Sequence, residues 1–277
     1  MNTFSNENIR RIKTLALSIR LKHDANEWGV SPEFLIEREG LQYKEYNLNE
    51  EGFFKKYVSN PLKKLARLIK AAIIVPEKMV LIDEDLHPAK KPFGRCHELG
   101  HHAIPEHREI LYVCSEHDLR PETRAEMEFE ANVFASEVLY PTNLVNSIHV
   151  EYPLSMETIL QLSQLSKGSI HSSAIKYIKT SDKECCLLTL NKDTDEDGNP
   201  GLRLEQQICS KSWVRKHGGK CFQEKQFLPH DHVISDTVFS GSIEDIYRGK
   251  ITLNNTGKEF RFHSFYNSYK VFVLVFE

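Results

Sequence analysis

The sequence predicts an α+β fold, in which an N-terminal α+β part of about 180 residues is followed by a mostly β part. Two observations support this prediction. In the first part most apolar residues recur at helical spacing, while from residue 183 short apolar runs are separated by Gly, Asn and Asp turns. The chain has 277 residues, of which 40% are apolar and 27% charged, which is ordinary for a globular protein with a proper core.

The first part of the chain predicts two helices and a pair of strands. IRRIKTLALSIRLKH carries apolar residues at helical spacing from Ile9 to Ile19, which predicts an amphipathic helix. PLKKLARLIKAA predicts a second helix with Pro61 near its start. AIIVPEKMVLID predicts two short strands around a Pro-Glu-Lys turn.

Prolines delimit the next two predicted helices. KPFGRCHELGHHAIP has Pro92 in its first turn and is ended by Pro105. RPETRAEMEFEANVFASEVLYP runs from Pro121 to Pro141, with acidic residues in its early turns and an apolar stripe on one face. Residues 142–180 predict three short helices. After residue 183, strands are predicted at CCLLTLNK, GLRLEQQI, HVISDTVF, KITLN, KEFRFHSF and YKVFVLVFE.

Charge and composition argue against several classes of protein. The net charge of -3 gives no global indication of a polyanion partner. The segment MNTFSNENIRRIK is polar, so no secretory signal is predicted, and no apolar run approaches the roughly 20 residues that span a bilayer. The six cysteines lack CxxC spacing, and we expect them to be reduced thiols. We therefore expect a soluble cytoplasmic protein without a membrane partner.

The segment RCHELGHHAIPEH, residues 95–107, contains the candidate metal-binding chemistry. On a helix, His97 and His101 lie one turn apart on the same face, so two imidazoles can bind one ion. Glu98 is one position round the helix, where it can reach a metal-bound water but not the ion itself. A polar helix surface that happens to be rich in histidine is the alternative, and the five-residue pattern alone does not exclude it.

A catalytic zinc site needs three protein ligands and an open position, so a third ligand is expected from another element. The helix at 121–141 offers Glu126, Glu128, Glu130 and Asn132. Glu128 and Asn132 are at i and i+4, so both can face one way, as a ligand and as a polar residue that hydrogen-bonds a ligand histidine. A solvated acidic face is the alternative, which we favour for Glu126. Glu130 is expected to contact solvent or a neighbouring base.

Together, HELGHH and EFEANVFASEVLYP resemble the ImmA/IrrE family of metallopeptidases. Its members carry HExxH on one helix and an ExEAnxFAxxLxxP pattern on the next. The similarity spans roughly residues 10–180 and is dense from 80 to 141, where VLIDEDLHPAKKPFGRC is similar to the family's lead-in. The ending VLYP departs mildly from the usual close, which affects no catalytic residue. The resemblance implies a zincin-like helical metallopeptidase domain with a small β-sheet.

The resemblance also implies roles for individual residues. His97 and His101 would be zinc ligands, Glu98 the general base and Glu128 the third ligand. The last assignment rests on a Glu-xxx-Asn spacing similar to the second motif of gluzincin peptidases, so Glu130 remains an alternative. Two imidazoles and one carboxylate fit zinc well, and manganese remains possible.

The donor that would stabilise the oxyanion is not identified by the sequence. Tyr112, His107 and Arg120 lie between the two motifs and are candidates, and each is equally a candidate rim or structural residue.

The implied function is a zinc-dependent endopeptidase that cleaves a helix-turn-helix repressor and so relieves repression, in stress response or mobile-element induction. We expect a peptidase domain in residues 1–141, a helical segment in 142–180, and a β-rich module in 181–277 with a sensory or substrate-docking role. The alternative is a metal-stabilised, non-proteolytic or toxin-antitoxin-like binder of a regulator. Residues 154–180 have helix–Gly–helix form, but the second helix carries few cations, so direct DNA binding is not favoured.

Overall fold

The computed structural model describes residues 5–47, 71–74, 78–113, 121–253 and 257–277. The chain forms two compact units. The first comprises Met1–Pro141 and Leu165–Ser169, and the second comprises Thr142–Gln164 and Ile170–Glu277. The helix predicted at PLKKLARLIKAA falls outside the described residues, except for its last two, which belong to a strand.

The first unit begins with helices α1 (Asn6–Lys22) and α2 (Pro32–Arg38). A three-stranded sheet follows, with β1 (Gln42–Tyr46), β2 (Ala71–Ile74) and β3 (Met79–Asp83) in the order β1-β3-β2. β3 is parallel to β1 and antiparallel to β2. The two strands predicted around the Pro-Glu-Lys turn are therefore present, and β3 is the central strand of the sheet, where an apolar MVLI run is suited to burial.

The two motif-bearing helices come next. A 3-10 turn (Pro88–Lys90) leads into α3 (Lys91–Ala103), α4 spans Pro105–Val113, and α5 spans Pro121–Leu139. α3 ends at Ile104, which is extended because it precedes a proline. Pro105 therefore ends α3, as predicted, and also begins α4.

Close packing of α3 on α5 depends on a glycine. A Cβ atom on Gly100 would lie only 3.1 Å from Cδ1 of Phe134, so a larger residue here would require the Phe134 side chain to shift. The apolar stripe predicted for α5 is buried, and Cys96 and Leu99 of α3 are also fully buried. This contact lies between the two helices that carry the motifs. The stripe consists of Met127, Ala131, Phe134, Ala135 and Val138.

The second unit combines helices with a six-stranded antiparallel sheet. α6 (Thr142–Glu151), α7 (Met156–Ser166) and α8 (Ile170–Thr180) are the three short helices that the sequence predicts. The sheet has the order β6-β5-β4-β9-β8-β7. Its strands are β4 (Cys185–Thr194), β5 (Pro200–Cys209), β6 (Phe227–Pro229), β7 (Ile246–Leu253), β8 (Lys258–Tyr266) and β9 (Val271–Phe276), and helices α9 (Lys211–His217) and α10 (Val233–Phe239) lie between them in the chain.

The strand prediction at HVISDTVF was wrong, because this segment forms helix α10. Its β-branched residues suggested a strand. However, the side chain of His232 accepts a hydrogen bond from the backbone N–H of Ile234 and caps the helix. Ile234 and Val238, at i and i+4, are both buried in the core of the unit. Capping and packing together therefore overcome the intrinsic preference.

The cysteines also differ from the expectation that all are reduced thiols. Cys186 on β4 and Cys209 on β5 occupy opposite positions in the register and form a disulfide.

The core of the second unit also contains an aromatic pair. The fully buried Trp213 and Phe260 have ring centroids 4.9 Å apart. In the part of the chain that the structure describes, no helix combines the length and the apolar character that a bilayer crossing requires.

Candidate metal centre

α3 presents the two histidines of the HExxH motif to a common point. The Nε2 atoms of His97 and His101 are 3.1 Å apart, and the rings meet edge to face with centroids 4.8 Å apart. This geometry follows from the i, i+4 spacing on a helix. Both rings are largely buried, with side-chain exposures of 14% for His97 and 7% for His101, so few water molecules can reach these two nitrogens.

α5 brings the carboxylate of Glu128 to the same point. Its Oε2 atom lies 3.2 Å from Nε2 of His97, and its Oε1 atom lies 3.7 Å from Nε2 of His101. The candidate ligand atoms of these three residues all lie within 4.8 Å of one another. The Glu128 side chain is 49% exposed, so the centre is open to solvent on the side of the carboxylate.

The other nitrogen of each ring is occupied by a protein partner. Nδ1 of His97 lies 3.1 Å from Oδ1 of Asn132, one turn after Glu128 on α5. An amide oxygen only accepts hydrogen bonds, so Nδ1 of His97 is the donor. In the neutral ring this leaves the Nε2 lone pair directed towards Glu128 and His101.

A longer chain of hydrogen bonds has the same effect on His101. Its Nδ1 atom lies 3.2 Å from Nδ1 of His107 on α4, and Nε2 of His107 lies 2.7 Å from Oε2 of Glu130. Asn8 on α1 donates to the other oxygen of Glu130. A carboxylate accepts, so Nε2 of His107 is the donor, its Nδ1 accepts, and Nδ1 of His101 must donate. We call Asn8, Glu130 and His107 the relay.

Charge at the centre is divided unequally between the two rings. Burial opposes protonation of His97, but the hydrogen bond that His97 donates to Glu128 and the charges of Glu98 and Glu128 outweigh it, and the pKa of His97 is raised. Burial, followed by the neighbouring His97 charge, lowers the pKa of His101 to about 3. The hydrogen bond with His97 lowers the pKa of Glu128 below its usual value, against the effect of burial. Of the two rings, His97 is therefore the one that more readily takes up a proton.

Glu98 is a buried carboxylate next to this centre. It follows His97 on α3, is only 5% exposed, and is close enough for its charge to raise the pKa of His97.

The remaining predicted residues have different positions. Glu126 is exposed, in agreement with the prediction that it lies on a solvated acidic face. His107 is 1% exposed and uses both ring nitrogens in the relay. Tyr112 belongs to α4, but its side chain is outside the described part of the chain, as is Arg120 altogether. Glu130 contacts a neighbouring base, which is one of the two environments predicted for it.

Sequence reasoning missed Asn8 and the assembly of the relay. Asn8 and Glu130 are separated by 122 positions in the chain, and no local pattern links them. The only signal for His107 was its presence among six histidine and glutamate residues in one short segment, and this did not indicate that it contacts His101.

Comparison with known proteins places the centre within a matched domain. Residues 56–171 match the family model described as the IrrE N-terminal-like domain, Peptidase_M78. Among solved structures, a Mycobacterium tuberculosis transcriptional regulator is similar in fold, with a TM-score of 0.54 and 12% sequence identity. The alignment covers 99% of this chain and 76% of that one. Comparison with curated proteins gives no match.

Proposed function

The chain belongs to the ImmA/IrrE family through its IrrE N-terminal-like domain, and on this premise we propose that it is a zinc-dependent endopeptidase. The observation that supports this most strongly is the convergence of two Nε2 atoms and one carboxylate, within 4.8 Å, while both Nδ1 atoms are engaged elsewhere. Two imidazole lone pairs 3.1 Å apart repel each other unless a proton or a cation lies between them.

The donor set fits zinc. His97, His101 and Glu128 would hold the ion, and two imidazoles with one carboxylate are a catalytic set that leaves a fourth position for water or substrate. The same three ligands can also bind manganese, which is the second choice of ion. When bound, zinc polarises the scissile carbonyl and lowers the pKa of water to about 7.

The residues of this chain have separate tasks in the proposed reaction. Glu98 accepts the proton of the attacking water and then transfers it to the leaving amine nitrogen. Asn132 and the relay each engage the Nδ1 atom of one imidazole, which orients the Nε2 atoms of both rings towards the ion site. Because both nitrogens of His107 are used in the relay, we assign it a positioning role and not that of oxyanion donor.

We infer that the substrate is a protein, and specifically a helix-turn-helix repressor. This substrate class is implied by the family resemblance. Direct DNA binding by α7 and α8 receives little support, because Lys176, one of two lysines on α8, is buried and donates to Oγ1 of Thr142 at 3.1 Å. A buried ammonium cannot neutralise a phosphate of the duplex.

The test is cleavage of purified helix-turn-helix repressors by the zinc-loaded full-length chain, followed by intact-mass spectrometry. Wild type should generate two fragments whose masses sum to that of the repressor plus one water. Glu98→Gln should retain zinc and lose cleavage. Glu126→Gln, the same change at an exposed position of the region, is the matched control and should cleave normally.

The same Glu98→Gln variant, used in a reporter assay, separates proteolysis from sequestration. A non-proteolytic binder would relieve repression in a reporter assay with Glu98→Gln as well as with wild type, and would leave the repressor intact. That result would exclude hydrolysis as the function.

A further inference from the structure

A second group of potential ligands lies in the second unit, whereas the HExxH motif belongs to the first. Cys186, Cys209 and Cys221, which we call the cysteine cluster, have sulfur atoms within 4.8 Å of one another. Cys186 and Cys221 are buried, and Cys209 is partly buried. Cys186 and Cys209 form the disulfide between β4 and β5, and Cys221 is a free thiol beside it.

Hydrogen bonds between the side chain of Gln207 and the main chain hold the third cysteine next to the other two. Gln207, two residues before Cys209 on β5, accepts from the backbone N–H of Cys221 at 2.9 Å and of Phe222 at 3.3 Å. Its Nε2 atom also donates to the carbonyl of Phe222 at 2.8 Å. The loop after α9 is thereby attached to the strand that carries Cys209. The register of β4 and β5 fixes Cys186 opposite Cys209, so all three sulfurs are positioned by hydrogen-bonded backbone.

The cluster also accommodates the reduced state. Sγ of Cys209 lies 2.8 Å from the carbonyl oxygen of Gly219. A disulfide sulfur carries no hydrogen, so this contact becomes a hydrogen bond only when Cys209 is a thiol. Reduction by two molecules of a low-molecular-weight thiol breaks the Cys186–Cys209 bond, transfers one proton to each sulfur and converts the reductant to its own disulfide. Three thiols then face one another.

Access to the cluster is available from one side. Cys221 lines a surface cavity of about 1010 Å³, together with Phe222, Glu224 and His232. An ion or a water molecule can therefore enter the cavity that borders Cys221 from solvent.

We propose that the cysteine cluster is a redox-gated site for one thiophilic cation, in the first instance Zn²⁺. Thiolate is the preferred donor of zinc among soft ligands, and each thiol gives up its proton as the ion binds. A buried anionic sulfur needs such a counter-charge. The two states exclude each other, because sulfurs joined in a disulfide cannot both act as thiolate ligands. The second unit would thus bind the ion under reducing conditions and release it on oxidation.

Cobalt titration of the full-length chain tests this proposal. The protein is reduced with a phosphine, stripped of metal with a chelator and titrated with Co²⁺ without oxygen. The near-ultraviolet sulfur-to-cobalt charge-transfer band should appear and saturate within two equivalents of cobalt, one for the HExxH centre and one for the cysteine cluster, and zinc should displace it. Histidine and carboxylate donors give no such band, so the result is independent of the HExxH centre and of peptidase activity.

Two comparisons make the result specific. The oxidised wild-type chain should show no band, which requires no substitution and so no assumption about folding. Cys221→Ser should lose the band or weaken cobalt binding at least tenfold, while Cys185→Ala should retain it. Cys185 is buried and adjacent to Cys186, but strand alternation directs its side chain to the opposite face of β4. Absence of the band in reduced wild type, or an unchanged band in folded Cys221→Ser, would overturn the proposal.

Discussion

Replacing His107 with phenylalanine isolates the contribution of the relay to metal binding. The ring of similar shape fills the space of a residue that is 1% exposed, but it can neither accept from Nδ1 of His101 nor donate to Glu130. The metal-binding atoms of His97, His101 and Glu128 are left unchanged. We expect zinc to bind more weakly because the N–H of His101 is left without a partner.

The magnitude follows from the burial of the affected ring. Loss of a partner that orients a ligand histidine weakens metal affinity by about 10- to 100-fold. The His101 side chain is only 7% exposed, so water cannot readily replace the lost acceptor, and we expect the upper end, about 100-fold or ~2.7 kcal/mol. Asn132 is exposed, so water can substitute in Asn132→Ala, and we expect about a tenfold loss there.

The assay is zinc competition against a chromogenic chelator, performed on oxidised protein so that the cysteine cluster does not contribute. Thermal unfolding of the metal-free variants reports separately on the fold. His107→Gln keeps a hydrogen-bond acceptor and should recover part of the affinity that His107→Phe loses. If folded His107→Phe binds zinc within about twofold of wild type, the relay does not orient His101, and the tautomer argument fails.

Three further predictions concern catalysis, packing and pH. Glu98→Gln should lower kcat by about 10²- to 10⁴-fold at unchanged zinc content, measured by peptide-bond cleavage and metal analysis. Gly100→Val should lower the midpoint of thermal unfolding, with a cost of about 1–3 kcal/mol, because its side chain meets an aromatic ring of α5. Burial opposes ionisation of Glu39, but hydrogen bonds from Lys22 and His23 lower its pKa below the usual value. Wild type should therefore be more stable than Glu39→Gln at pH 7, and the difference should shrink and then vanish as the pH falls below about 4. Denaturant unfolding of both proteins at pH 7 and at acidic pH measures this difference.

The sign of the last effect follows from linkage. A carboxyl group with a depressed folded-state pKa stabilises the fold above its unfolded pKa, and this stability is lost as the pH falls through the folded value. A stability difference that persisted unchanged at low pH would mean that Glu39 acts through packing and not through charge.

Much of the candidate centre could be predicted because it depends on local geometry. The HExxH spacing places His97 and His101 on one helical face wherever that helix lies, and the structure has the two Nε2 atoms 3.1 Å apart. Glu128 and Asn132 follow the same rule on α5. The Glu-xxx-Asn spacing favoured Glu128 and kept Glu130 as an alternative, because the pattern does not show which side of α5 faces the two histidines. Glu128 contacts His97 and His101, while Glu130 contacts His107.

Local patterns were insufficient where distant segments compete. The β-branched residues of α10 predicted a strand, yet the cap at His232 and the burial of Ile234 and Val238 produce a helix. Cys186 and Cys209 carry no spacing signal, because their pairing depends on the register of two strands joined through a hairpin.

The sequence by itself determined the helices that carry the two motifs, the order of a helical part before a sheet, and the residue types of the candidate centre, since each follows from spacing along one segment. Only the tertiary structure decided which distant residues meet: Asn8 contacts Glu130, His107 contacts His101, and Cys221 lies beside the cross-strand pair of Cys186 and Cys209. The physical reason is that periodicity specifies which face of an element a side chain occupies, whereas partners on that face are chosen by packing between segments far apart in the chain.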